Sequence, residues 1–468
     1  MSKVEEVINA VLKKVRPSAV ERKAVNRVVS EVLSRIKNVA SRLGFEVEVR
    51  VEGSIAKDTW ISGDRDIDVF IRLPKEIGRE GLESIGLRIA REAAGDKWIE
   101  CYAEHPYVEA EIYGFTVDLV PCFMVSSAEE ATSAVDRTPF HTDYINSHLS
   151  GELKDEVRLL KQFMKGIDVY GAEVKVQGFS GYLCELLILH YKSFIRVLEA
   201  AAYDWKPYST VIDIENYYAD SDEPLALFKA PLVVVDPVDK RRNVAAALSL
   251  QKMCEFIAAS KAFIKSPDLK FFYPPPIMPL NIDEVLREIE KRGTDFVFIV
   301  TRCPKASPDV LWGQFYKSVE GIRRLLEVYD FKVIDCAVWS DESKYLIFMF
   351  ELESACLPAL EKHLGPPVYS REHSERFIEK YLEVVAPIAG PKIEGDRWVV
   401  YLKRKYFNAC DLIGEKLLEA RLGKLVYSEL SRGFQIMLNE EVSEIYRDLR
   451  DFAVFFTRYL FGKPRWLL

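Results

Sequence analysis

Between residues 45 and 71 this chain has little conformational choice. Phe45-Glu46-Val47-Glu48-Val49-Arg50-Val51 alternates apolar and polar side chains without a break, the pattern of a half-buried strand. Gly53-Ser54 opens a short polar segment. Asp66-Ile67-Asp68-Val69-Phe70-Ile71 then resumes the extended pattern. Strand side chains alternate between faces, so Ile67, Val69 and Ile71 point into a core. Asp66 and Asp68 project together from the other face, with Cα atoms roughly 6.5 Å apart. Two carboxylates so placed repel each other, and Asp is depleted in strands. A divalent cation relieves that repulsion. Mg²⁺ in particular takes oxygen ligands and commonly shares one or two carboxylates with substrate phosphates.

A third acid has the right surroundings. Residues 107–113 and 115–120 read as a hairpin about Gly114, ended by Pro121. In its second arm Phe115, Val117 and Leu119 face one way, and Asp118 faces the other with Thr116. Three acids on neighbouring strands can hold two ions about 3.5–4 Å apart, a pair suited to phosphoryl-group chemistry. Gly53 permits close backbone approach, Ser54 offers a hydroxyl and an N–H at a helix start, and Lys57 adds a cation one turn later. A phosphate cradle followed by metal-binding carboxylates is thus expected. Asp64 shares strand parity with Asp66 but lies in the turn beside Gly63.

The rest of the chain frames this segment. Its 468 residues imply about three domains. Hydrophobic residues at 49% and charged residues at 29% fit globular cores and exclude a disordered chain. The net charge of −8 argues against a uniformly basic nucleic-acid surface and leaves room for local basic grooves. The 8 cysteines are scattered without a CxxC spacing, which fits thiols in a reducing compartment and offers no structural zinc site. Apolar runs such as Leu232–Val235 are strand-length, and no signal-peptide pattern opens the chain, so a cytoplasmic protein without membrane contact is expected.

Helical periodicity covers 20–43, 75–94, 181–200, 282–292 and 314–328. Pro274-Pro275-Pro276 and Pro279 form a linker. Strands are expected at 295–301, 331–339 and 344–352. These patterns predict an α+β multidomain chain. Residues 1–143 make an α/β head, 144–276 a mostly helical neck, 277–372 a ferredoxin-like or RNA-recognition-type βαββ body, and 373–468 a mixed α/β tail. In the tail, residues 397–407 interleave cations with aromatics, a composition suited to RNA contact or to an ordinary strand.

The Gly-Ser, the spaced D-x-D and the later Asp resemble the DNA polymerase β-type nucleotidyltransferase superfamily. Further segments narrow the resemblance to the archaeal, class I CCA-adding enzymes, which are tRNA nucleotidyltransferases. They are Asp118–Pro121, Asp136–Thr142, Arg158–Lys161, Val169–Glu173, Val235–Asp239, Arg242–Ala245 and Gly365–Val368. That family resemblance implies a polymerase-β-like head and template-independent addition of C, C and A to the 3′ end of tRNA from CTP and ATP. It implies two Mg²⁺ ions on Asp66, Asp68 and Asp118, and triphosphate contacts from Gly53, Ser54 and Lys57. His141, Lys161 and Tyr170 would complete the nucleotide site, and Arg242 would read the base edge.

Taken without the family, these last four have plainer readings. His141 fits a helix cap or core position, Lys161 a solvated helix face, and Tyr170 packing. Lys240 and Arg241 compete with Arg242 as base reader. The resemblance further implies C-terminal regions that grip the acceptor stem and elbow of tRNA, and is compatible with a homodimer. Two other readings remain open: a poly(A) polymerase or oligoadenylate-synthetase-like enzyme with the same head, and a non-catalytic RNA-binding protein.

Overall fold

The computed structural model describes residues 2–102 and 106–468. They form two compact units, one of residues 1–276 and 464–468 and the other of residues 277–463.

The first unit opens with helices α1 (Lys3–Val15) and α2 (Ala19–Leu43), each started by a Ser whose side chain and backbone exchange hydrogen bonds with a Glu three residues on. Gly44, in the left-handed conformation, ends α2. Strand β1 (Glu48–Val51) begins later than its alternating pattern does, and leads through the single turn α3 (Gly53–Lys57) to β2 (Asp66–Leu73). The apolar periodicity of 75–94 does not make one helix. It breaks into a 3₁₀ turn, α4 (Gly78–Gly81), a wide π turn and α5 (Leu87–Ala94). Strands β3 (Trp98–Tyr102), β4 (Pro106–Ile112) and β5 (Phe115–Phe123) complete a sheet of order β1-β2-β5-β4-β3. Only β2 and β5 pair in parallel.

Pro121 does not end β5. The pairing with β4 stops at Leu119, while the pairing with β2 runs on to Phe123. A missing N–H is tolerated on a side that has lost its partner strand. One face of the sheet buries Ile67, Val69, Ile71, Val108, Ala110, Val117 and Leu119 beneath α2 and α5.

The helices α6 (Ala134–His148), α7 (Gly151–Gly166), α8 (Gly181–Tyr191), α9 (Phe194–Tyr203), α10 (Asp222–Phe228) and α11 (Leu250–Lys265) follow. A small sheet joins β6 (Thr210–Ile212), β7 (Leu232–Asp236) and β8 (Asp239–Asn243). The single helix expected over 181–200 is two helices. Lys192 adopts a left-handed φ of 69°, and the Ser193 hydroxyl caps α9.

The second unit contains α12 (Ile282–Arg292), β9 (Asp295–Arg302), α13 (Pro308–Val328), β10 (Val333–Ser340) and β11 (Tyr345–Leu352). It continues with β12 (Leu360–Pro367), α14 (Arg371–Glu379), β13 (Ala389–Glu394), β14 (Arg397–Lys403), α15 (Ala409–Lys416) and α16 (Lys424–Arg432). The last elements are β15 (Gln435–Leu438), α17 (Ser443–Asp448) and α18 (Arg450–Phe461). The antiparallel order β10-β11-β9-β15 takes its fourth strand from far along the chain. The cation-aromatic stretch at 397–407 contributes the centre strand of the sheet β12-β14-β13. Its Trp398 indole donates to Ser374 Oγ at 2.7 Å, and Val399 and Val400 are buried. Among the described residues, no helix is long and apolar enough to cross a membrane.

Candidate active site

Parallel pairing of β2 with β5 puts Asp68 directly beside Asp118 and Asp66 beside Thr116. On the far side of β5, Glu109 stands opposite Asp118. Paired residues share a face of the sheet. Asp68, Asp118 and Glu109 therefore form a row across three strands, with exposed Asp66 one pleat away. Asp118 is pushed up to about 7 by burial first, then by Asp68, Glu109 and Asp66. Burial also raises Asp68, with Lys57 opposing and Asp66 adding. The Oδ1 atom of Asp118 is buried without a hydrogen-bond partner.

Gly53 lies against this row. Its φ is +65°, and a Cβ there would stand 1.9 Å from Asp68 Oδ2. A residue with a side chain would displace the carboxylate, so glycine at the start of α3 is a packing requirement of the acid cluster. Ser54, half-buried, follows it in the same turn.

The basic residues fall into two groups, each organised by one buried acid. In the first, Lys57 Nζ donates to Glu185 Oε2 at 2.6 Å, and Thr59 Oγ1 donates to Glu185 Oε1 at 2.6 Å. Lys161 Nζ lies 3.2 Å from both the carbonyl and the hydroxyl oxygen of Thr59, and 3.6 Å from Glu185 Oε1. Lys161 is thus buried, not solvated. Its ammonium and the Tyr170 hydroxyl both approach Gly181, where a Cβ would lie 3.5 Å and 3.1 Å from them.

In the second group, Asp236 is fully buried. Its Oδ2 is 2.9 Å from His141 Nε2 and accepts from Arg242 Nη1 at 2.7 Å, while its Oδ1 accepts from the Tyr182 hydroxyl at 3.2 Å. Burial lowers His141, so the neutral ring donates from Nε2. For Asp236, burial acts upward, but the hydrogen bonds from His141 and Arg242 and the charge of Arg242 outweigh it and hold the carboxyl below its ordinary range. Tyr182 joins the two groups. His141 stacks on its ring at 4.2 Å, and Lys57 sits over it at 5.6 Å. Arg242 is held in place, whereas Lys240 and Arg241 are exposed.

The same chain matches three family models in succession. Residues 33–141 match a nucleotidyltransferase domain, 155–273 the second domain of tRNA nucleotidyltransferase, and 292–439 the C-terminal domain of CCA-adding enzyme. A CCA-adding enzyme of Methanosarcina barkeri is 42% identical over 459 residues, covering 97% of this chain and 98% of that protein. The Methanosarcina acetivorans enzyme is 44% identical with the same coverage. That of Methanothermobacter thermautotrophicus is 38% identical over 449 residues, covering 94% and 96%. The chain belongs to the CCA-adding enzymes.

In this CCA-adding enzyme the candidate donor set is made of carboxylates. The acids supply only oxygen, as a hard divalent cation requires, and the orphaned Asp118 Oδ1 leaves a buried acceptor to be satisfied. Among the described residues, no three His, Cys, Asp or Glu side chains already make a metal-holding group. These oxygen donors fit a hard divalent cation.

Sequence reasoning did not pick out Glu109, Thr59, Tyr182, Glu185 or Asp236. Two of these left a signal. Glu185 is a lone charge inside Leu183-Cys184-Glu185-Leu186-Leu187, and Asp236 ends the run Leu232–Val235. A charge embedded in an apolar run needs a partner.

Proposed function

We propose that this chain adds C, C and A to the 3′ end of tRNA from CTP and ATP, without a nucleic-acid template. The RNA 3′-hydroxyl attacks the α-phosphate, and pyrophosphate leaves. The chemistry of this reading is carried by the strand-to-strand pairing of Asp68 with Asp118 against the bare Cα of Gly53, and its substrate by the match to CCA-adding enzymes over nearly the whole chain. Asp66, Asp68 and Asp118 would hold two Mg²⁺ ions, which lower the pKa of the attacking hydroxyl and neutralise the departing pyrophosphate.

Each polar side chain of the site then has a task. Ser54 and Lys57 contact the triphosphate, and His141, Lys161 and Tyr170 complete the nucleotide site, where the Lys161 ammonium adds a second positive charge towards the triphosphate. Arg242, fixed by Asp236, presents a planar donor fork to the base edge. Lys240 and Arg241, both exposed, meet RNA phosphates. Residues 1–143 serve as the catalytic head and 144–276 as the neck that holds the nucleotide. The body, 277–372, and the tail, 373–468, grip the acceptor stem and elbow, and the chain works in the cytoplasm as a monomer or homodimer.

The test is incorporation on tRNA lacking its 3′ end, with CTP and ATP separately and together. Addition of two C followed by one A is expected. Use of ATP with no use of CTP would instead make the chain a poly(A)-type polymerase. Asp68→Ala is expected to abolish CMP and AMP incorporation and to leave tRNA binding nearly intact. Retained incorporation by that variant would remove the metal assignment.

A further inference from the structure

We propose that Glu185 is the positioning residue of the triphosphate site, a single buried carboxylate that aims Lys57 and Lys161 together and is the counter-ion Lys161 needs. This rests on the reading that those two lysines meet the triphosphate.

The geometry is a shared counter-ion. Glu185, on α8, is 0% exposed, and the two lysines are 7% and 3% exposed. They come from α3 and α7, 128 and 24 positions away in sequence, and converge on the two oxygens of one acid. Thr59 completes the arrangement, donating its hydroxyl proton to Glu185 while its hydroxyl and carbonyl oxygens accept from Lys161. A buried ammonium without a counter-charge gives up its proton. Burial already draws Lys161 down, Lys57 adds to the effect, and Glu185 is the main opposing charge. Cys184 of α8 and Asp64 ahead of β2 also face Lys161. Lys57 is faced by Asp68, His141 and the Tyr182 ring. A negative group beside an anion site would on its own repel the substrate. Here it is tolerated because it holds two positive groups in place.

Removal of the charge with the shape kept has a specific consequence. In Glu185→Gln two close buried ammonium groups lose their shared partner, and Lys161, which burial already draws down, deprotonates. CTP binding then has to restore that proton, so binding becomes coupled to proton uptake. The experiment is calorimetric titration of CTP into the full-length protein between pH 7 and pH 9, in two buffers of different ionisation enthalpy.

Relative to the unsubstituted protein, Glu185→Gln is expected to bind CTP about tenfold more weakly at the alkaline end. The gap should close by up to about tenfold per pH unit as the pH falls, with proton uptake on binding. Glu185→Asp should show no such linkage. A folded Glu185→Gln with unchanged affinity and pH dependence overturns the proposal. So does weakening by one constant factor at every pH, which is what a purely structural role gives. Should Glu185→Gln not fold, the double variant Glu185→Gln/Lys161→Met removes the second ammonium. It is expected to bind CTP like Lys161→Met and without proton linkage, and linkage that persists overturns the proposal. Lys57→Ala and Lys161→Ala test the underlying reading. If neither weakens CTP binding, that reading fails. If both weaken it and Glu185→Gln does not, the reading stands and the role of Glu185 falls.

Discussion

At the scale of single residues, Gly53 links backbone shape to chemistry. Its left-handed φ costs an L side chain roughly 1–2 kcal/mol, a loss a folded chain of this size survives. The clash is the larger consequence, because an added Cβ would overlap Asp68 Oδ2 at 1.9 Å. Asp68 has to swing, and a displacement of about 1 Å at a reacting centre costs about a hundredfold in rate. Gly53→Ala is therefore expected to lower single-turnover CMP incorporation by about a hundredfold, with its melting midpoint only slightly reduced. Incorporation near the unsubstituted rate would mean that Asp68 does not need its observed position.

The acids themselves were legible, because a period of two puts Asp66 and Asp68 on one face whatever the rest of the fold does. What sequence could not supply was register. That Asp118 neighbours Asp68, and that Glu109 extends the row, depends on parallel and antiparallel pairings across long sequence separations. Likewise nothing local to His141 indicates Asp236, 95 positions away, as its partner.

At the scale of elements, the starts of α2, α8 and α12 were readable to within a residue, whereas α1 was not expected and α13 begins at Pro308, six residues before the expected 314. Breaks within apolar runs were not readable. The periodicity of 181–200 continues through Lys192 because both helices bury their apolar faces in one core. The wide turn near Gly86 likewise answers to a neighbour, since a Cβ there would lie 2.6 Å from Pro121 Cβ.

The start of α2 does more than cap. Glu21 accepts from Ser18 N at 2.7 Å, Ser62 Oγ at 2.8 Å and Gly63 N at 3.0 Å, so the helix start holds the turn that leads into β2. The backbone hydrogen bond from Ser18 leads in lowering its carboxyl from 4.5 to about 2, with burial opposing. A folded value below the unfolded one means stability that is present above pH 4.5 and lost as pH falls towards 2. Glu21→Gln is therefore expected to cost about 1 kcal/mol at pH 7 and almost nothing at pH 2. Chemical denaturation at both pH values measures this. An equal loss at both would assign the effect to shape instead of charge.

At the scale of the whole molecule, the Pro-rich stretch at 274–276 lies where one compact unit gives way to the next. The return of the chain was not legible, because β15 joins its sheet and residues 464–468 rejoin the first unit without any periodic pattern of their own. Trp466 is the anchor of that return. It is 6% exposed and stacks on Phe271 at 5.4 Å, and Phe271 in turn stacks on Phe163 at 6.0 Å in the helical core. Arg465 Nε adds a hydrogen bond to Asp168 Oδ2 at 3.1 Å. Five residues thus close a core whose other members lie before residue 277. Trp466→Ala removes a large buried ring and is expected to cost the first unit about 3–5 kcal/mol. Because the units have separate cores, the loss should stay local. Hydrogen exchange is expected to quicken in α7, α11 and around Phe271, and to hold its rate in β9, β10 and β11. Equal acceleration in both units would show that they unfold as one cooperative body, and no acceleration in either would mean that Trp466 holds nothing in place.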